Sequence, residues 1–143
     1  MSICFWDDNW RPDSYYEKIK KNRKMGLHTL CLLDIKVKEQ TIVNLMKGNK
    51  IFEPPRYMRT HQCAAQLLQI IESKTDKEEG DMEESTLCVS LARVGADNQK
   101  IVSGSLSELA EIDLGDPLHC FVVTGNLHPM ETEFLEKLKS LSH

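Results

Sequence analysis

The sequence predicts an α/β domain, because segments with the pattern of strands alternate with segments at helical spacing along its 143 residues. The run Leu27–Ile35 is almost continuous in apolar residues, which is typical of a strand in a sheet with helices on both faces. The segment from about Tyr57 to Ser73 instead carries a broad apolar stripe at helical spacing. We therefore expect one compact domain in which helices cover a sheet.

The amino-terminal elements are predicted by their caps and by their apolar content. Ile3–Trp6 has the composition of a short strand that nothing precedes, so we expect the chain to begin inside a fold. A helix is predicted over Ser14–Met25, because Ser14 and Glu17 have capping-box spacing and Gly26 suits the left-handed conformation that ends helices. The spacing of Glu39–Lys47 predicts a second helix.

The second half of the chain predicts a hairpin and then a final strand and helix. Thr86–Val94 is rich in strand-forming residues, and the turn formers in 95–98 separate it from a short partner strand around Ile101–Val102. The elements predicted after this hairpin are a capping box with a short helix (Ser105–Glu108), a last strand (His119–Thr124) and a last helix (Met130 to about Leu141).

Residues 75–85 predict a flexible acidic loop. Six of the nine residues from Asp76 to Glu84 are acidic, Gly80 interrupts them, and the apolar residues show no periodicity. Such a segment is typically solvated and mobile, and we assign it no special function.

Composition and charge exclude several classes of protein. The net charge of −4 argues against a nucleic-acid binder, which normally needs a basic face. No apolar run approaches the roughly 18 residues of a membrane helix, and the amino terminus reaches acidic residues too soon for a signal peptide. The five cysteines are well separated and lie mostly in apolar runs, which is typical of reduced, buried thiols. We therefore expect a soluble, cytoplasmic protein without a membrane or nucleic-acid partner.

Common catalytic and metal-binding motifs are absent from the sequence. It contains no dinucleotide-binding glycine motif, P-loop, zinc-protease helix or nucleophile-elbow serine motif. The neighbours His61/Cys63 and His119/Cys120 lack the clustering of metal ligands, so we expect no metal site. A cysteine nucleophile with a distant histidine base stays open as an alternative, although buried thiols explain the cysteines more simply.

Longer segments point to a family. They occur in order along nearly the whole chain: Trp10-Arg11-Pro12, the run His28–Gln40, Tyr57-Met58, the run Leu91–Asp97 and the run Asp113–His119. Together they resemble the diphthine methyl ester synthases of eukaryotes. The resemblance implies a three-layer α/β domain with a mixed sheet, similar to the second domain of tetrapyrrole-methylase-like (class III) methyltransferases. Residues 1–143 would then be the carboxy-terminal domain of a two-domain enzyme, without its amino-terminal domain for S-adenosylmethionine (SAM).

The resemblance also implies an activity and a site. Family members transfer methyl groups from SAM to the modified histidine, the diphthine intermediate, of translation elongation factor two in diphthamide biosynthesis, usually as homodimers. By motif, the cofactor contacts from this half fall on Leu33, Val94 and His119. On pattern alone Leu33 and Val94 would be core residues, and His119 fits either a core histidine or a residue that offers its backbone to an adenine.

Some positions differ from the family, and other interpretations stay open. The glycine-rich first strand and the other main SAM-binding segments of the family have no counterpart in this chain. Ser90 stands where relatives commonly have glycine, and Gly125-Asn126 stands where a glycine pair is usual. The alternatives are a non-catalytic dimerisation or binding module, or an unspecified α/β binding domain. As a further hypothesis, Arg11, Arg56 or Arg93 could hold the methyl acceptor.

Overall fold

A five-stranded mixed sheet organises the chain in the computed structural model, which describes residues 1–7, 9–37, 42–48 and 51–141. The strand order is β1-β2-β7-β5-β6; β1 runs parallel to β2, and the other pairs are antiparallel. The strands of this sheet are β1 (Ser2–Ile3), β2 (Thr29–Leu33), β5 (Leu87–Ala92), β6 (Lys100–Ser105) and β7 (His119–Val123).

The other elements of the described residues are five helices and a small ribbon. The ribbon consists of two antiparallel strands, β3 (Ile35–Lys36) and β4 (Arg56–Tyr57). The described helices are α1 (Ser14–Lys24), α2 (Ile42–Met46), α3 (Thr60–Ser73), α4 (Leu106–Leu109) and α5 (Pro129–Leu141). The predicted helix over Glu39–Lys47 is thus seen as α2, with residues 38–41 outside the described part of the chain.

One face of the sheet carries the hydrophobic core. Cys31 of β2, Phe121 of β7 and Cys88 of β5 point to this face and are fully buried. Residues of α1, α3 and α4 belong to the same cluster, including the fully buried Ile19 and Leu67. We call this side the covered face; it explains why α1 and α3 have the apolar stripes that the sequence shows.

The opposite face is covered only in part. Helix α5 lies against β6, where the hydroxyl of Ser103 donates to the carbonyl of Leu135 at 2.5 Å. Helices therefore lie on both sides of the sheet, which confirms the α/β class. The expectation that Leu27–Ile35 is buried on both faces is nevertheless wrong, because Leu30 and Leu32 are 52% and 54% exposed. We call this side the open face.

Local signals placed most elements correctly but failed at one cap. Ser105 caps α4 as predicted, with its hydroxyl accepting from the Glu108 amide at 3.2 Å. Gly26 has the predicted positive φ, 80°, after α1. The prediction of a capping box at the start of α1 is wrong. Ser14 is already helical, and the N-cap residue is Asp13, whose side chain makes no capping hydrogen bond.

The apolar run that follows α1 is divided at Asp34. Its carboxylate accepts from the Phe5 amide at 2.9 Å, and its carbonyl accepts from the Met58 amide at 2.8 Å. These bonds turn the chain from β2 into β3, which leaves the main sheet and pairs with β4. The predicted strand therefore becomes two strands in two sheets.

The acidic segment 75–85 is irregular, as predicted, but it is not solvated throughout. The Tyr16 hydroxyl and the Glu78 amide each donate to the Asp81 carboxylate at 2.7 Å, and the Lys74 ammonium does so at 3.2 Å. Burial would raise the pKa of Asp81, but these three donors hold it at about 2. With Met82 also buried, the segment is fastened to α1, while its flexibility stays a prediction.

The cysteines are free thiols. Cys31, Cys63 and Cys88 are fully buried, and Cys4 and Cys120 are half-buried. Burial raises the pKa of the Cys31 thiol to about 12, and it also raises the pKa of the Cys63 thiol well above its usual range. These thiols are protonated at neutral pH, which supports the prediction of buried, unreactive cysteines. In the described part of the chain, no helix has the length and apolarity needed to cross a membrane.

Candidate functional site

The candidate site lies at the strand ends on one side of the sheet, where β2 and β5 end and the antiparallel β7 begins. Leu32 of β2 and Leu91 of β5 are both in register with Cys120 of β7. The turn 93–98, which follows β5, and the segment 115–118, which precedes β7, lie at these strand ends. Between them and the end of β2 is an open cavity of about 810 Å³, which we call the sheet-end cavity.

The three predicted cofactor contacts line this one cavity. Leu33 is the last residue of β2 and packs partly against the core, whereas His119 is the first residue of β7. Val94 follows β5 and is 61% exposed, so the interpretation of Val94 as a core residue is wrong. The structure thus brings Leu33, Val94 and His119 together, although 86 positions separate Leu33 from His119 in the sequence.

The ring of His119 is held by two hydrogen bonds. Its Nδ1 accepts from the Thr60 amide at 3.1 Å, so its Nε2 carries the proton and donates to the Asp116 carbonyl at 3.0 Å. Burial lowers the pKa of His119, which keeps the ring neutral at pH 7. Since both ring nitrogens are engaged, this side chain ties the start of α3 to the segment before β7.

Arg93 shapes the cavity instead of reaching into it. Its backbone is left-handed, with a φ of 53°, a conformation that costs a residue with a side chain about 1–3 kcal/mol. The guanidinium donates to the carbonyls of Leu114 and Asp116 at 2.9 and 2.5 Å and to that of Asn98 at 3.1 Å. Arg93 therefore ties the two loops of the cavity together, and the hypothesis that it holds an acceptor gains no support.

Three further apolar residues of the cavity were missed by sequence reasoning. Leu32, Ile35 and Leu118 line it and are 54%, 45% and 58% exposed. The available signal was their position at strand ends, where α/β proteins tend to bind ligands. Exposed apolar side chains beside backbone edges suit the faces and edges of a flat heteroaromatic ring. Of the described lining residues, His119 is neutral, Arg93 is bound internally, and burial raises the pKa of the Cys120 thiol.

A second cavity of about 290 Å³ adjoins the first and shares Pro117 and His119 with it. We call it the arginine cavity, because Arg56 and Arg59 line it. The β3–β4 ribbon lies between the two cavities: Ile35 lines the sheet-end cavity, and its register partner Tyr57 lines the arginine cavity.

Both cavity arginines are held in place. The Arg56 guanidinium lies 4.8 Å from the centre of the Phe5 ring. Arg59 pairs with Asp113 at 2.7 Å, and the Gly115 amide together with Arg59 lowers the pKa of that carboxyl group. Arg11 is stacked in a similar way, 5.6 Å from the Trp6 ring, but it lines neither cavity. Of the three arginines suggested from sequence, Arg56 alone borders the arginine cavity.

Known proteins are similar to nearly the whole chain. No family model matches it. It is 58% identical over 137 residues to the diphthine methyl ester synthase of Homo sapiens and 47% identical over 139 residues to that of Dictyostelium discoideum. These matches cover 94% and 97% of the chain but only 48% and 50% of the relatives. The chain thus spans about half the length of the curated relatives it matches.

A solved structure agrees with these relatives. The crystal structure named for a diphthine synthase of Entamoeba histolytica superimposes with a TM-score of 0.80 at 42% identity. The match covers 96% of the chain and 48% of the solved one. A second diphthine synthase structure, at 24% identity and a TM-score of 0.68, supports the fold.

Proposed function

Because the chain belongs to the diphthine methyl ester synthase family, we propose that it forms one side of the active site of a SAM-dependent methyltransferase of diphthamide biosynthesis. In this proposal the sheet-end cavity receives part of SAM, with contacts from Leu33, Val94 and the backbone of His119. The observation that carries the proposal is the convergence of these three residues on one largely apolar cavity.

The residues of the cavity fit the chemistry. When bound, SAM would supply the methyl group from its sulfonium: a carboxylate oxygen of the acceptor would form the new C–O bond as the C–S bond breaks and its electron pair stays on sulfur. No proton moves, so the protein needs to bind, orient and exclude water. The apolar Leu32, Val94 and Leu118 are suited to the exclusion of water, and Arg93 holds in place the two loops that carry Val94 and Leu118.

The partners and location belong to the same proposal. The acceptor would be the diphthine intermediate on translation elongation factor two, and the enzyme would act in the cytoplasm. We also propose a homodimer, because exposed apolar residues such as Leu30, Met130 and Phe134 favour contact with another protein surface. The domain would be the carboxy-terminal one of the two-domain enzyme. A non-catalytic module with the same fold is less favoured, since the relatives bear the name of a synthase.

A nuclear magnetic resonance titration of the labelled chain with SAM tests the proposal. We expect backbone amide signals to shift at residues 32–35, 93–98 and 118–120, which border the sheet-end cavity. The Val94→Glu variant should weaken this binding at least tenfold, because it places a charge on an apolar wall without changing the core. Leu27→Glu is the matched control: Leu27 is similarly exposed, at 53%, but precedes the opposite end of β2.

The outcome can contradict the proposal in two ways. Shifts that avoid the sheet-end cavity would place the cofactor elsewhere. Equal weakening by Val94→Glu and Leu27→Glu would show that an added charge, and not the cavity wall, is responsible.

A further inference from the structure

We propose that Asp34 is a positioning residue for the sheet-end cavity, because its hydrogen bonds fix the main chain of Leu33 and Ile35 and thereby set the affinity for SAM. The inference rests on the proposed function, which assigns this cavity to the cofactor. Leu33 and Ile35 line the sheet-end cavity, whereas Asp34, which lies between them in the chain, does not. Asp34 therefore acts on the ligand through its two neighbours and not by direct contact.

The strand pairing of this wall stops next to Asp34. The register of β2 with β7 reaches Leu32, and the register of β2 with β1 ends at the pair Ile3 and Leu33. The next strand, β3, begins at Ile35 and pairs with β4 in the separate ribbon. Asp34 thus lies at the passage from one sheet to the other, where strand pairing alone does not fix the chain.

Two hydrogen bonds hold Asp34 at this passage. The Phe5 amide donates to its carboxylate at 2.9 Å, and the Met58 amide donates to its carbonyl at 2.8 Å. Both donors are themselves held, since Met58 is buried and Phe5 packs against the core and lies 4.8 Å from the Arg56 guanidinium. The carboxylate bond fastens the end of β2 to the segment after β1, and the carbonyl bond fastens it to the residue after β4.

The other walls of the cavity have separate supports. Arg93 ties the turn 93–98 to the segment 115–118. The ring of His119 ties the same segment to the start of α3. These bonds leave out the passage from β2 to β3, so the bonds of Asp34 determine how this wall stands relative to the others.

The position of the β2 wall matters because the proposed contacts are apolar. The attraction between nonpolar atoms decreases steeply with distance, and a gap of about 0.5–1 Å removes roughly a quarter to a half of it. Leu33 packs partly against the core, whereas Ile35 is 45% exposed. We therefore expect Ile35 to move more than Leu33 when the carboxylate bond is lost.

The bond from the Phe5 amide needs an acceptor oxygen and not a negative charge. The side-chain oxygen of asparagine accepts the same bond, whereas alanine leaves the Phe5 amide without it. Asp34→Asn is therefore the conservative variant, and Asp34→Ala is the disruptive one. The bond from the Met58 amide goes to the main chain and persists in both variants.

The test is a SAM titration of the labelled chain and its variants, followed by the amide signals. Asp34→Ala should weaken SAM binding about fivefold, the equivalent of one hydrogen bond, and Asp34→Asn should stay within about twofold of the unsubstituted chain. Amide hydrogen exchange at Phe5 reports the bond itself, and it should be faster in Asp34→Ala only. A purely structural role would lower the midpoint of urea denaturation and leave the SAM affinity of the folded protein unchanged.

Asp97→Ala is the matched control. Asp97 is exposed and lies between Ala96 and Asn98, which line the sheet-end cavity, just as Asp34 lies between two lining residues. Its carboxylate has no hydrogen-bond partner among the described residues. Asp97→Ala thus removes a carboxylate beside the cavity without removing a bond, and it should change the SAM affinity by less than about twofold.

Three results would overturn the inference. They are an unchanged SAM affinity in Asp34→Ala despite faster exchange at Phe5, an equal loss in Asp34→Asn, or an equal loss in Asp97→Ala. Failure of the proposed function looks different, because the unsubstituted chain then does not bind SAM at the sheet-end cavity. In that case hydrogen exchange without ligand decides the positioning role: the amides of the β3–β4 ribbon should exchange faster in Asp34→Ala only, and equal rates in all samples would overturn it.

Discussion

The two faces of the sheet are built from similar residues but have different surroundings. On β2, Cys31 on the covered face is fully buried, whereas its neighbours Leu30 and Leu32 on the open face are more than half exposed. The cause is the placement of helices: α1, α3 and α4 pack on the covered face, while α5 packs mainly against β6 on the open face and leaves Leu30 and Leu32 of β2 exposed. Apolar residues on a strand therefore serve two different roles in this domain.

The difference assigns a role to each face. Burial on the covered face stabilises the fold, since each large side chain removed from water contributes roughly 1.5–3 kcal/mol. Exposed leucines on the open face contribute little to the stability of the chain itself and are suited to contact with a ligand or a second surface. The sheet-end cavity adjoins this open region, since Leu32 belongs to both.

The same substitution on the two sides gives the largest expected contrast. Leu67→Ala removes a fully buried side chain of α3 and should lower the free energy of unfolding by about 3 kcal/mol, since it leaves a cavity in the core. Leu32→Ala, at an exposed position, should change it by less than about 1 kcal/mol. Urea denaturation of both variants measures the contrast. Equal losses would mean that the open face is also covered in solution, for example by a second copy of the chain.

His119 connects the two roles, because its ring bonds the start of α3 while the residue also lines the sheet-end cavity. His119→Gln should lower the free energy of unfolding at pH 8 by about 1–2 kcal/mol through lost ring hydrogen bonds. Burial lowers the pKa of the folded histidine below its ordinary value of 6.5, so the unfolded chain takes up the proton first. The stabilisation by His119 is therefore complete above pH 6.5 and declines as the pH falls below it.

The difference in free energy of unfolding between the wild type and His119→Gln should accordingly become smaller as the pH falls from 7 to 5.5. Denaturation curves of both proteins across this range measure it, and other titrating groups cancel because both proteins contain them. A constant difference at every pH would show that the buried ring does not resist protonation as its contacts indicate.

Local sequence patterns predicted most of the elements, since caps and periodicity act within a few residues. The hairpin of β5 and β6 and the cap at Ser105 follow from such signals. The exposure of Leu30 did not, because an apolar run does not tell which helix covers each face. The burial of Asp81 depends on Tyr16, 65 positions away, and no local pattern carries that contact.

The candidate site was predictable only in part for the same reason. The three proposed cofactor contacts came from the resemblance to a family, whereas their proximity depends on the strand order β2-β7-β5, which is non-local. The arginine cavity depends on the pairing of β3 with β4, since this ribbon separates it from the sheet-end cavity. Sequence reasoning named Arg56 as one of three arginines, and the structure distinguishes it from Arg11 by the cavity that it lines.

Replacing either of two buried serines on neighbouring strands is expected to have the smallest effect on the free energy of unfolding. The two replacements also compare the two faces of the sheet most directly. Ser90 of β5 lies on the covered face, and its hydroxyl has no hydrogen-bond partner among the described residues. Ser103 of β6 lies on the other side, and its hydroxyl donates to the Leu135 carbonyl of α5. Since a buried hydroxyl without a partner is destabilising, Ser90→Ala should raise the free energy of unfolding by about 1 kcal/mol.

Ser103→Ala should instead lower the free energy of unfolding by about 1 kcal/mol, because it removes a hydrogen bond that holds α5 on the sheet. Urea denaturation of the two alanine variants, measured in parallel, gives the sign of each change in the free energy of unfolding. Destabilisation by both changes would mean that the Ser90 hydroxyl has a partner after all, such as a bound water molecule. Opposite signs would establish that the covered face is packed by apolar contacts, whereas α5 is additionally fastened to the open face by a polar bond.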